Sequence, residues 1–587
     1  MSDTHRSLHI VMLAAENDAL PGGKVGGIGD VVRDIPGALA ALGCRVTVVL
    51  PSYGVFQTLP DAEYRCDVFA SFRGRQERLE LHAFPEDAFP RREPGRGKRA
   101  DRSDGKPSTQ GGSVQQLILH HPLFAAGGKG RIYCNDTPDQ PFATDASKFA
   151  LFSRAAMSAI ANGSINGVDV LHLHDWHAAL AVVLQKYDSS LHGIRDIPTV
   201  FSIHNLALQG VRPFAMHPSS FEAWFPHLWY EHAVLADPRW PDCVNPVAAA
   251  IRLADRVHAV SPTYAAEILL PNDPARGFHG GEGLEGDLAN AAAENRLVGI
   301  INGIAYDSPP TADTSSTSRR KARRRGRASG SAAAPGNGVP PTRTSVTTRK
   351  RLPWPQFMHG LADAMLAPMC RQGDTIRGVD YLAHQRLLSL ARGQRPRHVL
   401  TSVGRLTDQK FALMLTPLDD GSVPLARLSA QLGNDGLCLI LGSGDEQLER
   451  QTASIAARHD NIVFISLYAD AIAELLFTEG DLFLMPSSFE PCGISQMLAM
   501  RAGQPCLVHD VGGLHDTIDD GVDGFAFRGD SIQAQSTAML ARLDDILDLR
   551  RSRAAEYRRI VDAARRRRFT WRDSAARYIK ELYKSDE

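Results

Sequence analysis

Short apolar runs, each ending in a cluster of glycine and polar residues, recur along the whole chain. In the first half they are His9–Ala15, Arg45–Leu50, Val168–Leu173, Thr199–Ile203, Val257–Val260 and Leu297–Ile301. In the second half they are Arg397–Val403, Gly436–Leu441, Asn461–Ile465, Asp481–Met485 and Pro505–Val508. Continuous apolar runs this short read as strands covered on both faces, the mark of a parallel sheet. Helical spacing fills the gaps. Val31 to Leu42 repeats apolar positions at helical intervals until Gly43, and a helix opening at Phe142 to Asp145 runs on through Phe149, Phe152 and Ala156. Met497–Ala502 reads as a helix, and the tail Phe569–Tyr578 as an amphipathic one. Strand, turn and helix in alternation predict βαβ units and an α/β class.

Two stretches break the pattern. Phe89–Gly112 is polar, rich in Gly and Pro and nearly free of apolar residues. It has too little apolar surface to offset the entropy of ordering, so a disordered surface insertion is expected. Ser308–Lys350 is low-complexity around the basic run Ser318–Arg327. It reads as a solvated linker, although a basic run can also attract polyanions. The chain then divides into a first lobe at 1–305, a linker at 306–352, a second lobe at 353–558 and a tail at 559–587.

Composition narrows the class. At 587 residues the chain exceeds what one core supports, so two large domains are expected. A net charge of -1 gives no reason to expect a nucleic-acid partner. The eight cysteines are scattered without a Cys-x-x-Cys pair, which favours a reducing, cytoplasmic setting over a disulfide scaffold. The apolar run Leu8–Ala15 falls far short of the ~20 residues of a membrane helix, so no membrane partner is expected.

The candidate chemistry sits where strands end. Pro486–Gln496 follows the strand Asp481–Met485, which puts Glu490 in a strand-to-helix loop at a carboxyl end. Open α/β sheets bind ligands there. Pro491 fixes the backbone beside Glu490 and Gly493 frees it. The N–H groups that start the next helix then suit an anion. A carboxylate beside an anion site fits a substrate that joins hydroxyls to phosphate, such as a nucleotide sugar; the alternative is a capped turn with an exposed Glu. Lys24-Val-Gly-Gly-Ile-Gly-Asp30 offers a second such loop after the first strand. Gly26 and Gly27 let backbone approach a ligand, and Lys24 adds a cation. Gly26-x-x-Gly29 lacks the dinucleotide spacing Gly-x-Gly-x-x-Gly.

Asp145 lies near the amino end of its helix, where a capping role and a site role fit equally. His172, His174 and His177 cluster at another strand end. Alternation along a strand separates neighbours, and no Cys or carboxylate cluster completes a shell, which argues against a metal. Arg405 and Lys410 place two cations in one loop. A departing nucleoside diphosphate gains negative charge that such cations stabilise. No Asp-x-Asp triplet that would hold a metal for this task occurs in the chain.

Taken together, Lys24–Asp30, His174-Asp-Trp-His177, Ile203-His-Asn-Leu-Ala207, Val260-Ser-Pro-Thr-Tyr264, Asn302-Gly-Ile304, Gly404-Arg-Leu-Thr-Asp-Gln-Lys410, Glu490-Pro-Cys-Gly493 and Val511-Gly-Gly-Leu514 resemble the bacterial glycogen synthase and plant starch synthase family, in family order. The resemblance implies a GT-B fold: two Rossmann-like doubly wound domains around a cleft, with the last helix crossing back to the first domain. It implies retaining transfer of glucose from ADP-glucose to the non-reducing end of an α-1,4-glucan such as glycogen, without metal or other cofactor and without a covalent nucleophile. The implied catalytic set is Glu490, His174, Arg405, Lys410 and Asp145. Lys24, Gly26 and Gly27 would approach the donor, Asn302 would reach the nucleotide, and Tyr468 would stack on adenine. Cys492 and Gly493 would lie beside the sugar hydroxyls, and Ser495 would offer phosphate a hydroxyl where the family usually has Thr. Ile28 stands for the usual Leu, Leu208 for Tyr and Phe411 for Gly, and the Trp-Asn-Pro expected after Tyr306-Asp307 is missing. The alternatives are a retaining transferase with a small acceptor, of sucrose- or trehalose-synthase type, and a catalytically silent glucan-binding homologue.

Overall fold

The computed structural model describes residues 7–86, 112–306, 351–370, 376–467 and 469–584. The insertion expected at 89–112 lies outside them apart from Gly112, as do 308–350 and Tyr468.

The first lobe is built on a nine-stranded sheet among the described residues. Its early strands are β1 (His9–Leu13), β2 (Arg45–Pro51), β3 (Glu63–Phe72), β4 (Arg75–Ala83), β5 (Val114–His120), β6 (Val170–His174) and β7 (Thr199–Ile203). A separate ribbon pairs β8 (Arg212–Pro213) with β9 (Cys243–Val244), and β10 (Arg256–Ala259) and β11 (Leu297–Gly299) complete the sheet. The spatial order is β11-β10-β7-β6-β1-β2-β5-β4-β3. Strands β11 to β5 are parallel, and β4 and β3 are attached antiparallel.

The β3–β4 hairpin was not expected from the apolar runs. β3 alternates exposed and buried positions toward its end, as an edge strand with one wet face does. Its turn is Arg73-Gly74, both with positive φ (53° and 73°). Two such residues match the right-handed twist of a tight hairpin.

The second lobe is a six-stranded parallel sheet: β12 (His398–Val403), β13 (Gly436–Leu441), β14 (Ile462–Ile465), β15 (Leu482–Met485), β16 (Cys506–His509) and β17 (Phe525–Phe527). Its order is β14-β13-β12-β15-β16-β17. Winding reverses between β1 and β6 in the first sheet and between β12 and β15 in the second. Loops leaving neighbouring strands part there in opposite directions, which opens a crevice at the carboxyl ends.

Three helices place the first-lobe loops: α1 (Gly27–Ala40), α2 (Ala143–Ala161) and α3 (Asp175–Tyr187). α1 starts four residues before the expected Val31, drawing the glycine loop into its first turn. Phe149 and Phe152 are buried on α2, as its spacing required.

The lobes meet through reciprocal caps. Asp516 accepts from the Thr263 N–H at 2.9 Å and from its hydroxyl at 2.7 Å, at the start of the helix Pro262–Glu267. Glu267 in return accepts from the Gly512 N–H at 2.9 Å, at the start of the helix Gly512–Thr517. Each lobe thus satisfies orphan helix donors of the other.

The tail returns to the first lobe. Ile304 and Thr570 bridge the two crossing strands of chain side by side. A Cβ on Gly303 would lie 2.4 Å from the Trp571 nitrogen, so only glycine lets these crossings touch. The helix Trp571–Arg577 lies against α1, with the Trp571 indole N–H donating to Asp34 at 3.1 Å. A π-helical turn, Tyr578–Tyr583, ends the described chain on the core of the first lobe. Trp571→Ala is expected to weaken this docking by roughly 3–5 kcal/mol. Hydrogen exchange should then show the amides of 571–583 losing protection; unchanged protection would mean that the tail is held elsewhere.

Candidate active site

The glycine loop is held from beneath by a residue the sequence patterns did not single out. Glu16, just beyond β1, is buried, and its Oε2 accepts the N–H groups of Val25 (2.7 Å) and Gly26 (2.6 Å). Its Oε1 accepts the Tyr133 hydroxyl at 2.7 Å. The carboxylate acts as a tertiary cap for α1, which explains the early start of that helix. Gly27 has open space where a Cβ would stand, so backbone is bare on the outer side of the loop. Lys24 is exposed and pairs with Asp30 at 2.7 Å.

Asp145 supports the same loop indirectly. Its carboxylate turns inward rather than capping α2; the capping position belongs to Phe142, in the left-handed region at φ 61°. Asp145 accepts the Cys134 N–H at 3.0 Å and pairs at 2.9 Å with Lys148, which is fully buried and donates to the Ile132 carbonyl at 3.0 Å. The pair therefore holds Ile132–Cys134, the segment that carries Tyr133 to Glu16.

At the neighbouring strand end, His174 closes β6 and precedes α3. It is completely buried. One ring nitrogen lies 3.0 Å from His204 Nε2, while its own Nε2 has no hydrogen-bond partner among the described residues. A buried polar atom left so is costly unless a ligand uses it. Asp175, next in the chain, has φ 53°, uncommon for a non-glycine residue, and its carboxylate accepts the His204 N–H at 2.7 Å. Strain of this kind persists where surrounding contacts over-determine it. His177 faces Phe149 and Trp176 instead, in an aromatic cluster under the loop.

In the second lobe, the loop after β15 is sewn to the first turn of the helix Asp408–Leu415, which takes Lys410 out of the loop expected to hold it with Arg405. Lys410 is ion-paired with Glu490, which also accepts from the Ser487 hydroxyl at 3.2 Å. Gln409 donates to the Phe489 carbonyl at 3.0 Å. Arg405 is exposed on the short loop between β12 and that helix and makes no ion pair among the described residues. Glu490 is buried, and its backbone carbonyl accepts the Gly513 N–H at 2.9 Å. Gly512 beside it has φ 46°, and a Cβ there would lie 2.0 Å from that carbonyl. Gly493 also needs the left-handed region, at φ 76°. Ser495 opens the helix Ser495–Ala502.

First-lobe residues close around this loop. Ser261 donates to the Pro491 carbonyl at 2.6 Å, and the His279 ring packs 4.8 Å from that of Phe489. Asn302 lies against Cys492, with its side-chain oxygen buried and without a hydrogen-bond partner among the described residues. Burial pushes the Cys492 thiol up to about 12, so it stays a neutral packing group. The structure thus brings Glu490, Lys410, Cys492, Gly493 and Asn302 into one locus at the β12/β15 reversal. It sets Lys24, Gly26, Gly27 and His174 at the β1/β6 reversal. Asp145 stands behind the second group, and Tyr468 lies outside the described residues. Among the described residues no three His, Cys, Asp or Glu side chains gather as a metal shell would require.

Relatives fit this geometry. Residues 9–290 match the starch synthase catalytic domain and residues 397–566 match glycosyl transferases group 1. A glycogen synthase of Gloeobacter violaceus is 31% identical, with 98% of each chain covered. One from Anaeromyxobacter dehalogenans is 30% identical over 98% of this chain and 99% of its own. The chain belongs to the glycogen synthase family. It is a glycosyltransferase, and glycogen synthesis is its function. In fold it is similar to the catalytic domain of starch synthase IV from Arabidopsis thaliana, solved bound to ADP and acarbose, with a TM-score of 0.65 at 23% identity and 98% and 99% of the two chains covered. The two lobes are those of the GT-B fold. Among the described residues no helix is long and apolar enough to cross a membrane.

This glycogen synthase family site rests on buried neutral imidazoles. Burial lowers His172, His174 and His204 well below the usual histidine range, His258 to about 4 and His177 to about 3. Burial pushes Asp175 the other way, up to about 8, against two backbone N–H bonds that favour its charged form. The signs oppose. The histidines contribute stability that is full above about pH 6.5 and lost as pH falls through their folded values. Asp175 contributes stability present at acid pH and lost as pH rises through about 8. Five histidines outweigh one carboxyl, at up to about 1.4 kcal/mol per pH unit each. The urea midpoint should therefore fall steeply between about pH 6.5 and 4; a flat profile there would show that these rings are open to protons in the folded chain.

Proposed function

We propose that the chain transfers glucose from ADP-glucose to the 4-hydroxyl at the non-reducing end of an α-1,4-glucan, with retained configuration and no metal. The observation that carries this is the Lys410–Glu490 pair at the β12/β15 reversal, within the ring of first-lobe contacts made by Ser261, His279 and Asn302. The ion pair holds a cation and a sugar-binding carboxylate in register. A donor diphosphate competes for Lys410 and Arg405 and leaves Glu490 to take up sugar hydroxyls. As the anomeric bond breaks, charge grows on the phosphate. The cations of Lys410 and Arg405, the amino end of the helix Ser495–Ala502 and the Ser495 hydroxyl meet it there. From the other lobe, the loop at Gly26 and Gly27, with backbone bare at Gly27, and the cation of Lys24 approach the donor. His174 offers its unpartnered Nε2 to a sugar oxygen. The departing phosphate oxygen takes the acceptor's proton on the same face. The chain's relatives, named as glycogen synthases along their full length, support this donor and acceptor class.

Incubation with ADP-[14C]glucose and glycogen tests the reading. Label in polymer, undiminished by EDTA, is expected. Label in a small product would point to a small-acceptor synthase, and binding without transfer to a silent homologue. Glu490→Ala should lower kcat by about 10²–10³-fold with circular dichroism unchanged. Lys410→Ala should lower kcat/KM by a similar factor of about 10². Near-normal rates in either variant would remove that residue from the reaction.

A further inference from the structure

A directed chain of hydrogen bonds runs beneath His174, and its direction can be deduced. His258 Nε2 lies 3.3 Å from the Ile300 carbonyl, which can only accept, so this nitrogen carries the proton. His258 Nδ1 is then an acceptor, and the Ser202 hydroxyl, 2.8 Å away, donates to it. With its hydrogen committed, the Ser202 oxygen accepts from His172 Nε2 at 2.6 Å. His172 Nδ1 is left as an acceptor, and the Tyr583 hydroxyl donates to it at 2.7 Å. One backbone carbonyl thus orders four side chains from three strands and the tail. Depressed basicity of both histidines agrees with neutral rings throughout.

The chain ends on the reaction centre proposed above. The His172 ring is stacked on His174, with centroids 4.4 Å apart and planes 18° from parallel. We propose that Tyr583 is a positioning residue for glucosyl transfer: its hydroxyl, donating to Nδ1 of the Nε2-protonated His172, holds that ring in place, and the held ring fixes the plane of His174 and the direction of its Nε2, which has no partner among the described residues. This rests on the assignment of His174 to the donor site. The surroundings of His172 leave few other controls. From the tail, Tyr578 packs 5.8 Å from it, and the Arg577–Glu581 pair acts on His258. Just past β7 lies His204 and on β10 His258, on its own strand His174, while the Cys44 and Cys492 thiols act on Tyr583 and Tyr578. Arg577 and Glu581 are the charged pair in this set and neutralise each other at 2.7 Å. Donation from Tyr583 to Nδ1 stabilises the neutral form of His172, so a hydrogen bond in this direction also opposes protonation of the ring.

Tyr583→Phe removes one oxygen and preserves the packing. Compared with wild type, kcat should fall about five- to tenfold while KM for ADP-glucose changes less than about twofold. The acid limb of kcat against pH should move up by about one unit as His172 becomes free to take a proton. Spectra of 15N-histidine-labelled protein should show His172 and His258 as Nε2–H tautomers in wild type and the His172 Nδ1 resonance shifted in the variant, where that nitrogen loses its donor. Unchanged kcat, acid limb and His172 Nδ1 resonance would overturn the proposal. So would a lowered Tm with kcat and KM moving together and the acid limb fixed, since that is loss of structure alone. If the wild type transferred no glucose, the substrate assignment would fall, and the 15N spectra would still decide the hold of Tyr583 on His172: mixed His172 tautomers in wild type would refute it.

Discussion

Open α/β sheets bind ligands where their winding reverses, and the two loops that carry the proposed chemistry stand at such reversals. Between β1 and β6, and again between β12 and β15, successive helices cross to opposite faces, and the loops above the gap have nothing to pack on but each other and a ligand. Both reversals carry a buried carboxylate. Glu16 staples the glycine loop in one lobe, and Glu490 anchors Lys410 in the other. Neither carboxylate is left to water. Each is held by donors that also set the shape of its loop.

The first-lobe half of the site is organised in depth. Lys148 and Asp145 hold the irregular segment that delivers Tyr133, Tyr133 braces Glu16, and Glu16 ties down the glycines. Beneath His174 a parallel arrangement runs through His172, Ser202 and His258 to the returning tail. In both cases the residue nearest the cleft owes its orientation to partners far away in sequence. Tyr583 reaches His172 across 411 positions, and Trp571 reaches Asp34 across 537. Because the same tail crosses beside Ile304, the joint between the lobes and the floor of the site are parts of one packed unit.

Much of this was legible in the linear pattern. The continuous apolar runs marked eleven parallel strands, and the glycine loop and the Glu490 loop announced themselves as strand-to-helix turns. The β3–β4 hairpin escaped because half-wet edge strands lack such runs. Glu16 escaped because one carboxylate after a strand carries no spacing signal. Asp145 looked equally like a cap and a site residue; only the positions of Lys148 and Cys134 show what its oxygens hold.

The sequence by itself determined the class of fold, the strands that build it and the loops where charge and glycine gather, because periodicity and backbone freedom are local properties. Only the tertiary structure decided which loops stand together, which ring nitrogens carry protons and which buried atoms lack partners. Those depend on contacts between residues hundreds of positions apart, where a carbonyl such as that of Ile300 can order a histidine it does not neighbour in the chain.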